Sequence, residues 1–278
     1  MTQLYKKVIN SHASSDGDGV RIQRVALFNE ALSDPFLMID ELCSDNPDDY
    51  IGGFPPHPHR GMETLTYLRQ GGLEHRDHMG NRGMIHSGGA QWMSAGSGVI
   101  HSEMPSLEMD GLHGFQLWIN LPAADKMKAP DYRDVPAGEI PQLTTSAGVA
   151  MKLIAGSWTI DGESHVAPLA SMAADAGIAD VEMPAGSELT LPVEAGYQAM
   201  AFVYQGTLAD LKQEKSLVVL DTSNNQITLK ATAPATLLLL KGRPLKEPVA
   251  HYGPFVMNTV AEIEQAIRDY QTGKFGNA

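Results

Sequence analysis

The chain is short of cysteine, of positive charge and of long apolar runs. Its 278 residues include one cysteine, Cys43. A single cysteine excludes a disulfide within the chain and a metal site built on thiolates. Cys43 lies in "IDELCSDNPDD", at the expected end of a strand, and reads as a free thiol with no role. Lys and Arg number 20 against 33 Asp and Glu, giving a formal net charge of -13 and a pI of about 5.1. No Lys/Arg block supplies the basic footprint of a nucleic-acid binder, so no direct nucleic-acid partner is expected. The acidity also disfavours an anionic membrane surface. No run reaches the roughly 18 apolar residues of a membrane span. The N-terminal "MTQLYKKVINSHASSDGDG" lacks the apolar centre of a signal peptide. These absences lead to the expectation of a cytoplasmic protein with no membrane partner.

What the chain does have is turn chemistry. It carries 27 Gly and 17 Pro within a composition that is 43% hydrophobic and 19% charged, as expected of a folded, β-rich protein. The length suits two domains of ordinary size. Short alternating segments such as "GVRIQRVAL" (19 to 27), "METLTYL" (62 to 68) and "GFQLWINLP" (114 to 122) predict strands. Glycine pairs at 71–72 and 88–89, and "DHMGNRG" (77 to 83), read as hairpin connections. Turn signals recur about every ten residues, the rhythm of a sandwich or barrel. The proline-rich, apolar-poor segment 130–148 is read as the connection between domains. A second β-rich block follows, with strands expected at 149–158, 188–193, 197–208, 215–221, 226–231 and 235–242. The chain ends in a predicted helix, "NTVAEIEQAIRDYQTGKFG" (258 to 276). Thr259 and Glu262 have the spacing of a capping box, and Val260, Ile263, Ile267 and Tyr270 share one face. Gly273 supplies a left-handed stop.

The chemistry is concentrated in histidines. In "GGFPPHPHRGMETLTYLRQGG" (52 to 72), Pro55, Pro56 and Pro58 exclude a helix. In an extended segment residues i and i+2 point to the same face, so His57 and His59 converge, with Cα atoms roughly 7 Å apart. Two neutral imidazoles make a platform for a metal, but two ligands fall short of the usual three or four. A second stretch, "GGAQWMSAGSGVIHSEMP" (88 to 105), adds His101 and Glu103, again two apart on a strand-like segment. If the two strands face one another, four ligands meet at one point. Three imidazoles and one carboxylate leave about two of six octahedral positions open. His75 and His78, beside a turn, read as solvated. His86 and His113 are given structural roles. Trp92 and Trp118 are expected in the core, and Met62, Met84, Met93 and Met104 are expected in apolar packing.

The spacing G-x-x-x-H-x-H-x-x-x-E from Gly53 to Glu63 resembles the first cupin motif, with one glycine–histidine spacer shorter than usual. "GSGVIH" (96 to 101) resembles the second, with Gly96 in place of a usual proline. More narrowly, "HPHRGMETLTYL", "QWMSAGSGVIHSEMP", "HGFQLWINLP", "KMKAPDYRD" and "GPFVMNT" look like pirins, and the resemblance runs over nearly the whole chain.

The resemblance implies an all-β fold of two cupin β-barrels packed together with a C-terminal helix. Residues 1–135 would form the metal-binding domain and 136–278 a domain without ligands. The latter agrees with the second half's own sequence, whose histidines, His165 and His251, are far apart. The family's metal ligands carry over to His57, His59, His101 and Glu103. The expected cofactor is one divalent metal, Fe(II) foremost, with Cu, Ni, Mn, Co or Zn open. Glu63, a ligand in ordinary cupins, would then orient a ligand or be a satisfied polar residue. The implied activity is an oxidoreductase of the quercetin 2,3-dioxygenase type, with a flavonol-like aromatic and O2 as partners and Glu103 as catalytic base. The alternative is a redox- or metal-sensing protein that modulates transcription factors or metabolic enzymes through a protein partner. A monomer is expected.

Overall fold

A computed structural model describes residues 4–109, 111–211 and 214–275. Among the described residues nearly all regular structure is β, and the α-helix is Val260–Gln271. Two compact units result, and neither is continuous in sequence. One gathers the described residues of His12–Asn29, Phe36–Gly138 and Lys246–Ala278; the other gathers those of Met1–Ser11, Glu30–Pro35 and Glu139–Leu245. The two sequence halves, 1–135 and 136–278, thus differ from the compact units at both chain ends. The first strand, Tyr5–Asn10, pairs with Ser216–Leu220, and the C-terminal helix belongs with the histidine motifs.

In the histidine-bearing unit Ala250–Tyr252 and Phe255–Met257 form a separate pair, and most strands lie in two antiparallel sheets. The larger runs in the order Asp131–Val135, Ala90–Ser94, Met62–Gln70, Leu112–Asn120, Phe36–Ser44, Val20–Ala26 and His12–Asp16. The smaller runs Phe54–His59, Val99–Pro105, Gly72–Asp77 and Arg82–His86. Because side chains alternate across a strand, Val20, Ile22, Leu42, Leu68 and Leu112 from the larger sheet meet Leu73 and Ile85 from the smaller in one buried cluster. The expected strands at 19–27, 62–68 and 114–122 are present. The segment read as a connection is partly structured: Asp131–Val135 pairs along Ala90–Ser94. Its charged alternation, buried only at Val135, is that of an edge strand and reads as a loop in sequence.

The other unit forms an eight-stranded sheet whose core draws alternate residues from nearly every strand, Leu189 and Leu191, Ala199, Ala201 and Val203, Leu237 and Leu239 among them. The two strands expected at 226–231 and 235–242 are one, Gln226–Gly242, continuous through Pro234. It pairs with Glu188–Pro192 before the proline and with Gly177–Met183 after it.

The helix carries its capping box: Glu262 N donates to Thr259 Oγ1 at 3.2 Å, and Thr259 N donates to Glu262 Oε2 at 2.8 Å. The face it buries is narrower than expected. Ile263 and Ala266 are buried, whereas Val260 and Tyr270 are 68% and 40% exposed. Ile263, Ala266 and Phe275 pack on Phe255, Met257 and Ile100. Arg60, the residue after His59, fastens this end. Its Nε donates to the Ser97 carbonyl at 2.6 Å, its Nη1 to Asp269 at 2.9 Å, and its guanidinium lies 4.5 Å from the Phe275 ring centroid.

Candidate metal centre

Strand Phe54–His59 pairs antiparallel with Val99–Pro105, in a register that sets His101 directly opposite His57. Alternation then turns His59 and His101 into the unit's interior, both 2% exposed, with His57 half-buried above them. The three rings stand 4.4 to 5.0 Å apart by centroid, and one ligand atom of each lies within 4.8 Å of the others. Nε2 of His57 is 3.1 Å from Nε2 of His59.

Each imidazole has its other nitrogen occupied. Nδ1 of His57 faces the Pro55 carbonyl at 2.8 Å, and Nδ1 of His59 faces the Pro254 carbonyl at 3.3 Å. Nδ1 of His101 faces Nδ1 of His75 at 3.4 Å. A carbonyl can only accept, so the protons of His57 and His59 sit on Nδ1 and both Nε2 atoms are lone-pair donors. Nε2 of His101 is buried with no partner, at the cost such a group carries. Burial, and secondarily the neighbouring His57, pushes His59 down to about 3, and burial pushes His101 well below the ordinary histidine range. The pair is therefore neutral at physiological pH, the form that ligates metal.

These residues fit a metal ion. Two imidazoles bound at about 2.1 Å with a right angle between them place their nitrogens about 3.0 Å apart, close to the His57–His59 spacing. The orphaned Nε2 of His101 is the nitrogen left available as a third donor. Outer partners on Nδ1 are the usual means of fixing such ligands. A three-histidine site suits a divalent metal.

Glu103 points into the same interior and is 4% exposed. Its Oε1 accepts from Thr66 Oγ1 at 2.8 Å and its Oε2 from Gln116 Nε2 at 3.2 Å. It lines the same pocket as His57 and His59 but lies outside the 4.8 Å histidine group. Glu63 is elsewhere. Strand alternation resets at the corner Arg60–Gly61: Gly61 has φ +79°, and a Cβ there would lie 2.0 Å from the Val256 carbonyl oxygen. Thr66 therefore turns to Glu103, whereas Glu63, fully buried, meets Lys128 Nζ at 3.2 Å. Of the two readings of Glu63, the contact with Lys128 is that of a satisfied polar residue.

The centre opens into a pocket of about 710 Å³. Phe28, Met38, Leu42, Phe54 and Trp118 give it apolar walls, and Arg24 and Asp40 are polar groups in its lining. The Trp118 ring stands edge-on to His59 at 5.2 Å, and Phe28 stacks on His251 at 4.0 Å. Trp118 is thus a pocket wall rather than core. His251, expected in the ligand-free half, belongs to the histidine-bearing unit. Met62 and Met93 are packed in the core as expected, but Met84 and Met104 are 39% and 37% exposed.

His75 is the clearest residue missed. Its position near a turn suggested solvation, yet it is 1% exposed, stacked on Tyr132 at 4.5 Å, and in contact with Asp77 at 3.4 Å. It sits directly opposite Glu103 in the strand register, which the hairpin sequence alone does not reveal. His78 and His86 are exposed, as a solvated reading requires for His78. Among the described residues, the unit containing 139–245 holds no group of three metal-ligating side chains.

Known proteins share these features. A family model described as Pirin matches residues 19–119, and one described as Pirin C-terminal cupin domain matches 178–276. A Vibrio cholerae protein carrying the name "Putative quercetin 2,3-dioxygenase" is 48% identical over 97% of this chain and 96% of its own. A Caulobacter vibrioides pirin-like protein is 43% identical over 97% of this chain and 98% of its own. The crystal structure of a quercetin 2,3-dioxygenase from Acinetobacter baumannii matches with TM-score 0.88 at 31% identity, covering 99% of both chains. The chain belongs to the pirin family and has its two-domain cupin fold.

Proposed function

We propose that the protein is a metal-dependent dioxygenase that opens flavonol-type aromatics with O2 and releases carbon monoxide, using Fe(II). The observation that carries this reading is the convergence of three imidazoles, with Nε2 of His57 and His59 3.1 Å apart and Nε2 of His101 an orphan, beside an apolar-walled pocket that a buried carboxylate also lines. The likeness to proteins named for quercetin 2,3-dioxygenation supports it.

His57, His59 and His101 would hold the metal, with Glu103, which lines the same pocket, as the carboxylate ligand. Bound there, a divalent metal supplies Lewis acidity toward the substrate's enolic oxygen and, as Fe(II), a site for O2. The chain's own residues do the rest. Trp118, Phe28 and Phe54 bind a flat ring system by apolar contact and exclude water. Glu103 takes the proton from the flavonol 3-hydroxyl, leaving an electron-rich enolate. Thr66 and Gln116 each donate to Glu103, which orients the carboxylate while leaving a lone pair on each oxygen for the substrate proton. The test is carbon monoxide release from Fe(II)-loaded protein with quercetin in air, against demetallated protein. Metal-dependent CO over many turnovers is expected. Its absence from protein holding metal in the pocket would remove the flavonol assignment.

A further inference from the structure

The larger sheet of the histidine-bearing unit carries a second constellation on its other face. Met38, Asp40 and Leu42 of strand Phe36–Ser44 line the pocket, as do Gln116 and Trp118 of Leu112–Asn120. Alternation therefore sends Glu41, Cys43 and His113 to the opposite face. Cys43 and His113 are direct cross-strand partners, and Glu41 is the next residue along that face. A carboxylate oxygen of Glu41, the Cys43 sulfur and a ring nitrogen of His113 all lie within 4.8 Å of one another. Nε2 of His113 is 3.2 Å from Oε1 of Glu41.

We propose that Glu41, Cys43 and His113 form a binding site for a borderline-soft divalent cation, Zn2+, distinct from the three-histidine centre. The donor set of one thiolate, one imidazole and one carboxylate is of the kind zinc takes. In a tetrahedral site with bonds of about 2.0 to 2.3 Å the ligand atoms stand about 3.3 to 3.6 Å apart. The Glu41–His113 separation already matches. Cys43 is exposed and at the strand's end, so a rotamer change brings its sulfur in. Glu41 is fully buried and His113 only partly open, which presents a preset pair to which the thiolate closes. Three protein ligands leave one tetrahedral position for water or another small ligand. The sequence dismissed Cys43 because one thiolate alone makes no site; the cross-strand register supplies its two companions.

Cys43 is the chain's single cysteine, so any thiolate–metal signal reports on it alone. Metal-free full-length protein, kept reduced, is titrated with Co(II) and followed by the near-ultraviolet thiolate-to-cobalt charge-transfer band, with mass monitored by light scattering. The band is expected in wild type and in His59→Ala, absent in Cys43→Ser, and shifted at least tenfold to higher Co(II) in His113→Ala. Zn2+ is expected to abolish it by displacement and to slow alkylation of Cys43. No band from folded wild-type protein, an unchanged titration in His113→Ala, or a band that grows only with dimer formation would each overturn the proposal.

Discussion

Replacing Arg60 by Met isolates what fastens the C-terminal helix to the strand that carries His57 and His59. The methionine keeps the stem's apolar volume and removes the guanidinium. Lost are the bond to the Ser97 carbonyl, the ion pair with Asp269 and the stack on Phe275. The Arg60 and Asp269 side chains are 5% and 14% exposed, so this is a desolvated pair rather than a surface one. Breaking such a pair from one side costs about 3 to 5 kcal/mol. Asp269 keeps Gln265 Nε2 at 2.7 Å and Lys274 Nζ at 3.7 Å on its other oxygen, which sets the expectation at the lower end, about 3 kcal/mol. Arg60→Lys keeps the charge but loses the fork and the planar stack, and is expected to cost about half as much. Two of the chain's three tryptophans, Trp92 and Trp118, lie in this unit. Urea unfolding in a Trp158→Phe background, followed by fluorescence, therefore reports on it. With urea slopes of about 1 to 3 kcal/mol/M, the midpoint should fall by about 1 M or more. A midpoint within about 0.3 M of the parent would refute the reasoning, because at these slopes it amounts to less than about 1 kcal/mol, the range of a surface ion pair.

Three other outcomes are expected. Glu103→Gln should lower turnover at least about 100-fold, the ordinary scale of a lost proton acceptor. Its fold and the metal held by three histidines should remain, and metal analysis alongside CO release checks both. Glu63→Gln should leave metal stoichiometry unchanged while weakening the contact with Lys128; loss of the metal would return the ligand role to Glu63. In metal-free protein, His59 is held at about 3 in the folded state against an ordinary 6.5. The unfolded chain then binds more protons between those values, so stability is full above pH 6.5 and is lost as pH falls toward 3. The ceiling is about 5 kcal/mol. Urea midpoints at pH 7 and 4.5 should separate clearly in wild type and less in His59→Gln.

Much of the candidate site was legible because the residues that converge there are locally spaced. His57/His59 and His101/Glu103 are each i, i+2 pairs on strands, and alternation alone turns both members of a pair to one face. Gln116 and Trp118 share the same signal within "GFQLWINLP", yet their pocket role needed the partner strand to be known. His75 was not legible, because its burial depends on lying opposite Glu103 in a register that no local pattern encodes. The direction of Glu63 was not legible, because the chain turns a corner at Gly61, whose φ is positive. The division into units was obscured for a related reason. Residues 246–278 return to the histidine-bearing unit, and a long-range return leaves no compositional mark.

We propose that one metal ion is held by Nε2 of His57, His59 and His101. The most direct test of this proposal is anomalous diffraction at the iron edge from crystals of Fe(II)-loaded protein grown without oxygen. A peak is expected within about 2.3 Å of all three Nε2 atoms, with a Glu103 oxygen completing the protein ligands. Density that leaves His101 Nε2 unligated, or iron bound elsewhere with this pocket empty, would contradict it.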